Sequence, residues 1–408
     1  MHGDANTAWM MVCCGLVLLM TPGLALFYGG MVHSRNVLST FMHCFIALGV
    51  MTLQWVIVGY SLAFAPSSSG FIGGLQYVFL SGVGLEPHGA IPHLLFMAFQ
   101  MMFAIITPAL IAGAVAERVK FKTYLAFIVL WGTLVYDPVC HWVWADGGWL
   151  RLRGALDFAG GAVVHLSSGA AALVFALLVG RRTRPAPPHN LTLTLVGAGL
   201  LWFGWFGFNA GSELAADGVA ALALVNTHIA AAAGALAWVV VEWRRVGKPT
   251  ALGAASGLVA GLVGITPAAG FVGPMAAILI GLVTGVVCFF AVMMKARLGY
   301  DDALDAFGIH GVGGALGALL TGVFASVAWN AAGADGLVYG HASAFGASAL
   351  AVVAVASYSV VVTFVLLKVL DATLGLRVSQ DEEREGLDTV LHGEEAYHLL
   401  GSAGTHAS

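Results

Sequence analysis

The chain has 408 residues and a formal net charge of −4, with 59% hydrophobic and only 9% charged residues. A soluble domain carries about 25% charged residues, so this composition excludes an ordinary water-soluble protein, and no basic block suggests nucleic acid. Apolar runs longer than the roughly 20 residues that cross a bilayer as helix recur along the sequence, which predicts an all-α, multi-pass membrane protein.

Eleven spans can be read in chain order. The start, MHGDANTAW, has no basic segment and no small-residue cleavage site before the first apolar run, so no cleaved signal peptide is expected. The first five spans are expected at Ala8–Val32, Val37–Phe64, Ile91–Ala116, Tyr124–Trp144 and Leu156–Gly180. The next five follow at Leu191–Gly211, Val219–Trp243, Ala251–Pro267, Pro274–Met294 and Ala303–Ala328, and the last at Ser343–Leu370. Residues 1–372 thus form a transmembrane domain, and 373–408 a charged C-terminal tail. Fifty-four glycines suit close helix–helix packing in lipid.

Basic residues set the orientation. Of 17 Lys and Arg, only Arg151 and Arg153 fall after an even-numbered span. The others follow odd-numbered spans: Arg35, Arg118–Lys122, Arg181–Arg184, Arg244–Lys248, Lys295–Arg297 and the residues from Lys368 onward. Basic loops stay cytoplasmic, which predicts the N-terminus outside, the C-terminus inside and an odd number of spans. The five cysteines form no CxxC pair and all lie in apolar stretches, so packing as small hydrophobes is expected.

Two segments echo each other. In DFAGGAVVHLSSG, Asp157 lies eight residues before His165 and Gly169 follows; in DALDAFGIHGVGG, Asp302 lies eight before His310 and Gly314 follows. The segments open spans five apart, which run in opposite directions. That is the pattern of two inverted five-helix repeats with a final extra helix.

Both histidines fall near mid-membrane by helical rise, where an ionisable residue is costly and faces a cavity or a partner. Imidazole can donate, accept and change charge near neutral pH, which suits a small permeant that also gains and loses a proton. The simpler reading, a hydrogen bond to a neighbouring helix, applies to His43, His93, His141 and His228, which have no repeat partner. No Cys or carboxylate stands at ligand spacing around the pair, so no metal is expected, and nothing calls for a cofactor. Asp157 is placed to cap a helix N-terminus and also to favour a nearby cation. Aromatics gather toward the outer side: Phe99 and Phe103 in FQMMFAIIT, Trp142 and Trp144, and WFGWFGFNAGS with Phe206, Phe208 and Ser212. They suit either cation–π capture or the interfacial aromatic belt. Asp137 in VYDPVCHWVW and the loop PSSSGFIGG receive no assignment.

These motifs, together with NTAWMMVCCGLVLLMTPGLALFYGG, GAVAERVKF, NTHIAAAAGALAW, GITPAAGFV and GLRVSQDEEREGLDTVLHGEEAY, resemble the ammonium transporter family (Amt, MEP and Rhesus proteins), the Amt branch in particular. The resemblance runs from the start of the chain into its tail. It implies a homotrimer in a bacterial inner membrane, with one pore per subunit. It implies that His165 and His310 line the pore and that Phe103 and Phe208 form a gate. Trp144, Phe103 and Ser212, with Asp157 beside them, would form an outer NH4+ site; Phe99, Trp205 and Thr266 match pore-adjacent positions. Methylammonium would serve as an analogue and a PII-type signal protein as a cytoplasmic partner. The expected function is recruitment of NH4+, its deprotonation and conduction of NH3, with net proton transfer. The rivals are a Rhesus-like neutral channel for NH3 or CO2 and a sensor acting through its tail. A membrane enzyme lacks any nucleophile–base set or metal cluster here, so no enzymatic activity is expected.

The tail, Gly375–Tyr397, is the most charged stretch of the chain. The run DEERE predicts a helix with acids in its first turn, punctuated by Gly386 and Gly393. The resemblance to the Amt tail implies that it docks on the cytoplasmic face, on basic loops such as Arg118–Lys122 and Arg181–Arg184.

Overall fold

A computed structural model describes residues 2–397. Among the described residues, ten helices are long and apolar enough to cross a membrane. In chain order they are α1 (His2–Met31), α2 (Val37–Phe64), α3 (His93–Val115), α4 (Phe121–Trp144), α5 (Gly161–Val179), α6 (Leu191–Ala210), α7 (Gly218–Val246), α9 (Pro274–Leu298), α10 (Phe307–Phe324) and α11 (Ala342–Thr373). Between α7 and α9 lies a shorter apolar helix, α8 (Ala251–Ile265), of 15 residues. It turns back at Thr266, so the expected span to Pro267 stops two residues early.

The expected starts of two spans shift for one physical reason. Leu156 and Ala303 lie outside α5 and α10, because an aspartate in each approach caps the helix and fixes where it begins. α10 also ends at Phe324, before the expected Ala328, where Ala325 turns to extended backbone.

α1, α3, α5, α6, α8 and α10 surround a central cavity, and each contributes lining residues to it. α2, α4, α7 and α9 flank this ring. α11 packs on α4, α5 and α10. Large apolar side chains remain exposed on the outer helices, among them Leu53, Leu236, Met275 and Val361, as lipid or another apolar surface requires. Four cysteines are buried and Cys14 is half-buried; all are free.

Four of the helices carry a π turn: Trp55–Gly59 in α2, Gly132–Tyr136 in α4, Gly161–Leu166 in α5 and Phe307–Gly311 in α10. Such turns recur at functional positions, and the last two carry the histidines of interest.

The described residues include the tail from Leu374 to Tyr397. Its helix α12 (Gln380–Glu385) begins with a capping box in which Ser379 and Glu382 satisfy each other's backbone amides. Gly386 and Gly393 take φ of +115° and +66°, values that L side chains rarely adopt, and so break the chain into short segments. The tail adds a strand-like pairing to the α3–α4 loop: Lys120 N–H donates to Leu376 O (3.0 Å) and Val378 N–H to Arg118 O (3.1 Å). Thr183 donates to Glu383, and Asn36 accepts from Leu387 N–H at 2.8 Å. The tail therefore touches both expected loops and a third, between α1 and α2.

Arg118 is fully buried beneath the tail and donates to the carbonyls of Ala114, Ala116, Gly180 and Asp301. The first three lie at the ends of α3 and α5, where a cation complements the helix dipole, and Asp301 belongs to the segment between α9 and α10. Beside it, Arg182 joins Asp301 (2.9 Å) and Glu117 (2.7 Å). Burial alone would raise the Asp301 carboxyl, but the hydrogen bonds and charge of Arg182 hold it at about 2.

Candidate functional site

The site begins with two capped helices. Asp157 Oδ1 accepts from the amides of Gly160 (2.9 Å) and Gly161 (2.6 Å), and Oδ2 from those of Ala162 (2.8 Å) and Val163 (3.1 Å). One carboxylate thus satisfies four amides at the mouth of α5. Asp302 does the same on a smaller scale, accepting from Ala306 (3.0 Å) and Phe307 (2.8 Å).

The π turns that follow carry His165 and His310, and two glycines let the turns cross closely. A side chain at Gly169 would strike the backbone of Gly311. One at Gly314 would meet Leu166 N at 2.8 Å and His165 Cβ at 2.9 Å. Each glycine therefore admits the other histidine's turn. The rings stack with centroids 5.3 Å apart and 22° between planes, and their Nδ1 atoms lie 3.2 Å apart. That contact requires one ring as donor and the other as acceptor. With Nδ1 so used, each ring keeps Nε2 for something else. His165 Nε2 is buried with no partner among the described residues.

Both imidazoles line a narrow cavity whose other walls are apolar, among them Leu24, Phe27, Leu110 and Val259. About 10 Å³ of it is open to the centre of a water-sized molecule, which is room for about one. Trp205 and Phe208 stack against His165 at 5.4 and 5.9 Å. Trp205 is held there by Thr266, which accepts its Nε1–H at 2.9 Å and itself donates to Leu262 O. Thr266 therefore acts on the cavity wall through Trp205.

Toward the face opposite the tail, Phe103 meets Phe208 at 4.3 Å, tilted by 37°. Both are buried; Phe208 lines the cavity and Phe103 stands against Trp144 on the other side. Beyond them opens a vestibule of about 900 Å³, lined by Trp144, Asp157 and Ser212 among others. Trp144 stands edge-on to Phe103 at 5.6 Å, and its Nε1–H donates to Asp157 O. Ser212, which lines the vestibule, donates its Oγ–H to Phe208 O at 2.8 Å, and so keeps its hydroxyl lone pairs as acceptors. Phe99 lines neither cavity; it packs behind Phe103, edge-on at 5.1 Å.

The remaining histidines divide. His93 contacts the Tyr60 hydroxyl and His141 contacts Ala63 O, each on a neighbouring helix, whereas His43 departs from the expectation and contacts Ser39 O in its own helix. His228 departs from the expected hydrogen bond: it is exposed and stacks on Trp202. Asp137 is buried and accepts from Gln54 Nε2 at 2.7 Å, joining α2 to α4. The loop PSSSGFIGG covers the end of α4, where Phe71 O accepts from Trp142 Nε1.

Sequence reading missed two kinds of residue. Glu213 lines the vestibule beside Ser212; a carboxylate directly after an aromatic run was the available signal. The apolar wall of Met20, Leu24, Phe27, Leu110 and Val259 gave none, because an apolar residue in an apolar span looks like any other.

Comparison with known proteins agrees with this arrangement. The family model described as Ammonium Transporter Family matches residues 8–397. An ammonium transporter of Bacillus subtilis is 55% identical over 96% of this chain and 98% of that protein. The crystal structure of Saccharomyces cerevisiae Mep2 superposes with a TM-score of 0.87 at 40% identity, over 92% of this chain and 88% of that one. A structure titled Sensor Amt Protein superposes with a TM-score of 0.89 at 29% identity, over 96% and 99%. By length, fold and sequence, this chain belongs to the ammonium transporter family.

Proposed function

We propose that this transporter captures NH4+ in the vestibule, strips its proton near the Phe103–Phe208 gate and passes NH3 along His165 and His310. The observation that carries the reading is the stacked imidazole pair lining a cavity with room for about one water-sized molecule and otherwise apolar walls. An ion entering such a space faces a steep desolvation cost, which deprotonation removes. His165 takes the proton on Nε2, which has no other partner among the described residues, and gives its Nδ1 proton to His310 Nδ1. His310 releases one from Nε2, so net charge movement accompanies each ammonia. Uptake of labelled methylammonium into proteoliposomes, with current recorded together, tests this. Uptake without current would favour a neutral channel of the Rhesus kind. The likeness to a sensor Amt protein keeps signalling as a second reading, but the nearer relative by sequence carries a transporter's name.

The basic loops and the tail share one face, which supports a cytoplasmic tail and an outer N-terminus. The matched Asp–His–Gly segments, with their reciprocal glycines, support two inverted repeats of α1–α5 and α6–α10, with α11 added. The family likeness supports assembly as a homotrimer in a bacterial inner membrane, one pathway per subunit.

Trp144 supplies the aromatic face of the outer site. Trp144→Leu removes a cation–π contact of roughly 0.5–2 kcal/mol, so the ammonium concentration for half-maximal transport rises about two- to thirtyfold. Discrimination against potassium falls with it. An unchanged concentration dependence assigns Trp144 to the interfacial belt instead.

The docked tail offers a surface for a PII-type partner, and residues 373–408 act as its regulatory unit. Deleting everything after Gly375 removes the Arg118–Val378 pairing and the Glu383 and Asp388 contacts. Transport then drops and partner binding disappears, while the membrane helices keep their circular dichroism. Parent-level transport together with retained binding would reduce the tail to a solvated end.

A further inference from the structure

On the tail face lies a second cavity, of about 240 Å³, that conduction does not use. It is bounded by the α1–α2 loop, the segment after α5 and the tail helix α12. Its acids are already satisfied. Glu117 accepts from His33 N–H, Asn36 and Arg182. Glu383 accepts from Thr183 and Arg377. Arg182 spends its donors on Asp301 and Glu117. Three exposed arginines line the rest of the cavity and carry free or nearly free guanidiniums. Those of Arg35 and Arg184 have no partner among the described residues, and Arg384 meets only Asp381, at 3.3 Å and itself 93% exposed.

We propose that this cavity binds a phosphate-bearing anion through Arg35, Arg184 and Arg384, and that the bound anion clamps the tail to the membrane domain. Guanidinium forks match phosphate oxygens in pairs. The volume falls below the roughly 300–1,000 Å³ of pockets for drug-sized ligands, which restricts the ligand to inorganic phosphate or the phosphate of a small head group. The site forms from three parts of the chain, and the tail is pressed tightly onto the α1–α2 loop. A side chain at Gly386 would meet Arg35 Cβ at 2.6 Å. Because Arg384 comes from the tail, anion binding and tail docking reinforce each other by linkage. The position also gives the clamp a route to the pore. α1, α3 and α5 each contribute to the conduction cavity, through Leu24, Leu110 and His165, and each ends at this one, at His33, Glu117 and Arg182.

The test uses the purified full-length chain in neutral detergent with no partner protein, so its failure is separate from any failure of the transport reading. Inorganic phosphate and glycerol 3-phosphate are titrated calorimetrically against chloride at equal ionic strength. Saturable binding is expected, weakened roughly tenfold by R35Q or by R184Q, as loss of a hydrogen bond to a charged group implies. The triple variant R35Q/R184Q/R384Q, and the chain cut after Gly375, lose it. Thermal unfolding of the substituted variants in chloride should match the parent, which shows that they remain folded. The same titration in phosphatidylcholine nanodiscs, with and without phosphatidic acid, identifies the source. If phosphatidic acid blocks phosphate, the site takes a lipid head group; if not, it takes a free anion. Absence of saturable binding in both detergent and nanodiscs, or equal binding by the triple variant, overturns the proposal.

Discussion

Replacing His165 and His310 together with leucine abolishes the ammonium-evoked current while leaving the fold intact. Leucine fills much of the imidazole volume but offers no donor or acceptor. The loss of a positioned proton-transfer group costs about 10²–10⁴ in rate, so the current falls by at least about a hundredfold. Stability separates the single from the double variant. The two rings face each other at 3.2 Å through Nδ1. Removing one leaves the other's buried nitrogen unpaired, at about 1–3 kcal/mol, whereas removing both is nearly neutral. His165→Leu and His310→Leu should therefore each unfold at a lower temperature than the double variant. Current and potassium discrimination in the double variant equal to the parent's would sink the role given to the pair.

The second large effect is expected at Asp157. Its carboxylate accepts from four amides and is buried. Asp157→Ala leaves those amides without their acceptor, each a loss of about 1–3 kcal/mol if no water replaces it. The open vestibule beside Asp157 admits some water, so a total of about 3–5 kcal/mol is expected rather than the full sum. The α5 mouth loosens, and with it the His165 π turn and the carbonyl that holds Trp144. Methylammonium uptake is lost and thermal unfolding moves down by several degrees. Asp157→Asn keeps one acceptor oxygen, so it retains about half of the cap and removes the charge. An Asn variant as stable as the Ala variant would show that geometry contributes nothing. An Ala variant that transports and unfolds like the parent would remove Asp157 from the site altogether.

Where sequence reading succeeded, the cause was local and periodic. Spans were legible because lipid requires every backbone group to be satisfied within a helix, which forces long uninterrupted apolar runs. Only α8, at 15 residues, falls short of a full span, since its chain turns back at Thr266. Asp157 was legible as a cap because a carboxylate before two glycines and an apolar run has few other uses. The capping box of α12 follows from the same logic. The tail docks on both loops named in advance, yet its third contact, through Asn36 and Ser39 to Leu387 and Asp388, was not legible. Those pairs lie some 350 residues apart, and nothing local marks them.

The sequence by itself determined that this is a helical membrane protein with a polar pair in its apolar spans, because burial of charge in lipid is too costly to occur without cause. It also determined which histidines differ from the rest, through their repeated spacing from aspartate and glycine. Only the tertiary structure decided that their Nδ1 atoms meet and that Phe99 packs on Phe103 without lining either cavity. It alone decided that Thr266 acts through Trp205, that Glu213 reaches the vestibule and that His228 lies on an exposed face. The reason is directional. Helical spacing assigns residues to faces, but which face meets which depends on crossing geometry, and here that geometry is set by glycines whose partners sit on other helices.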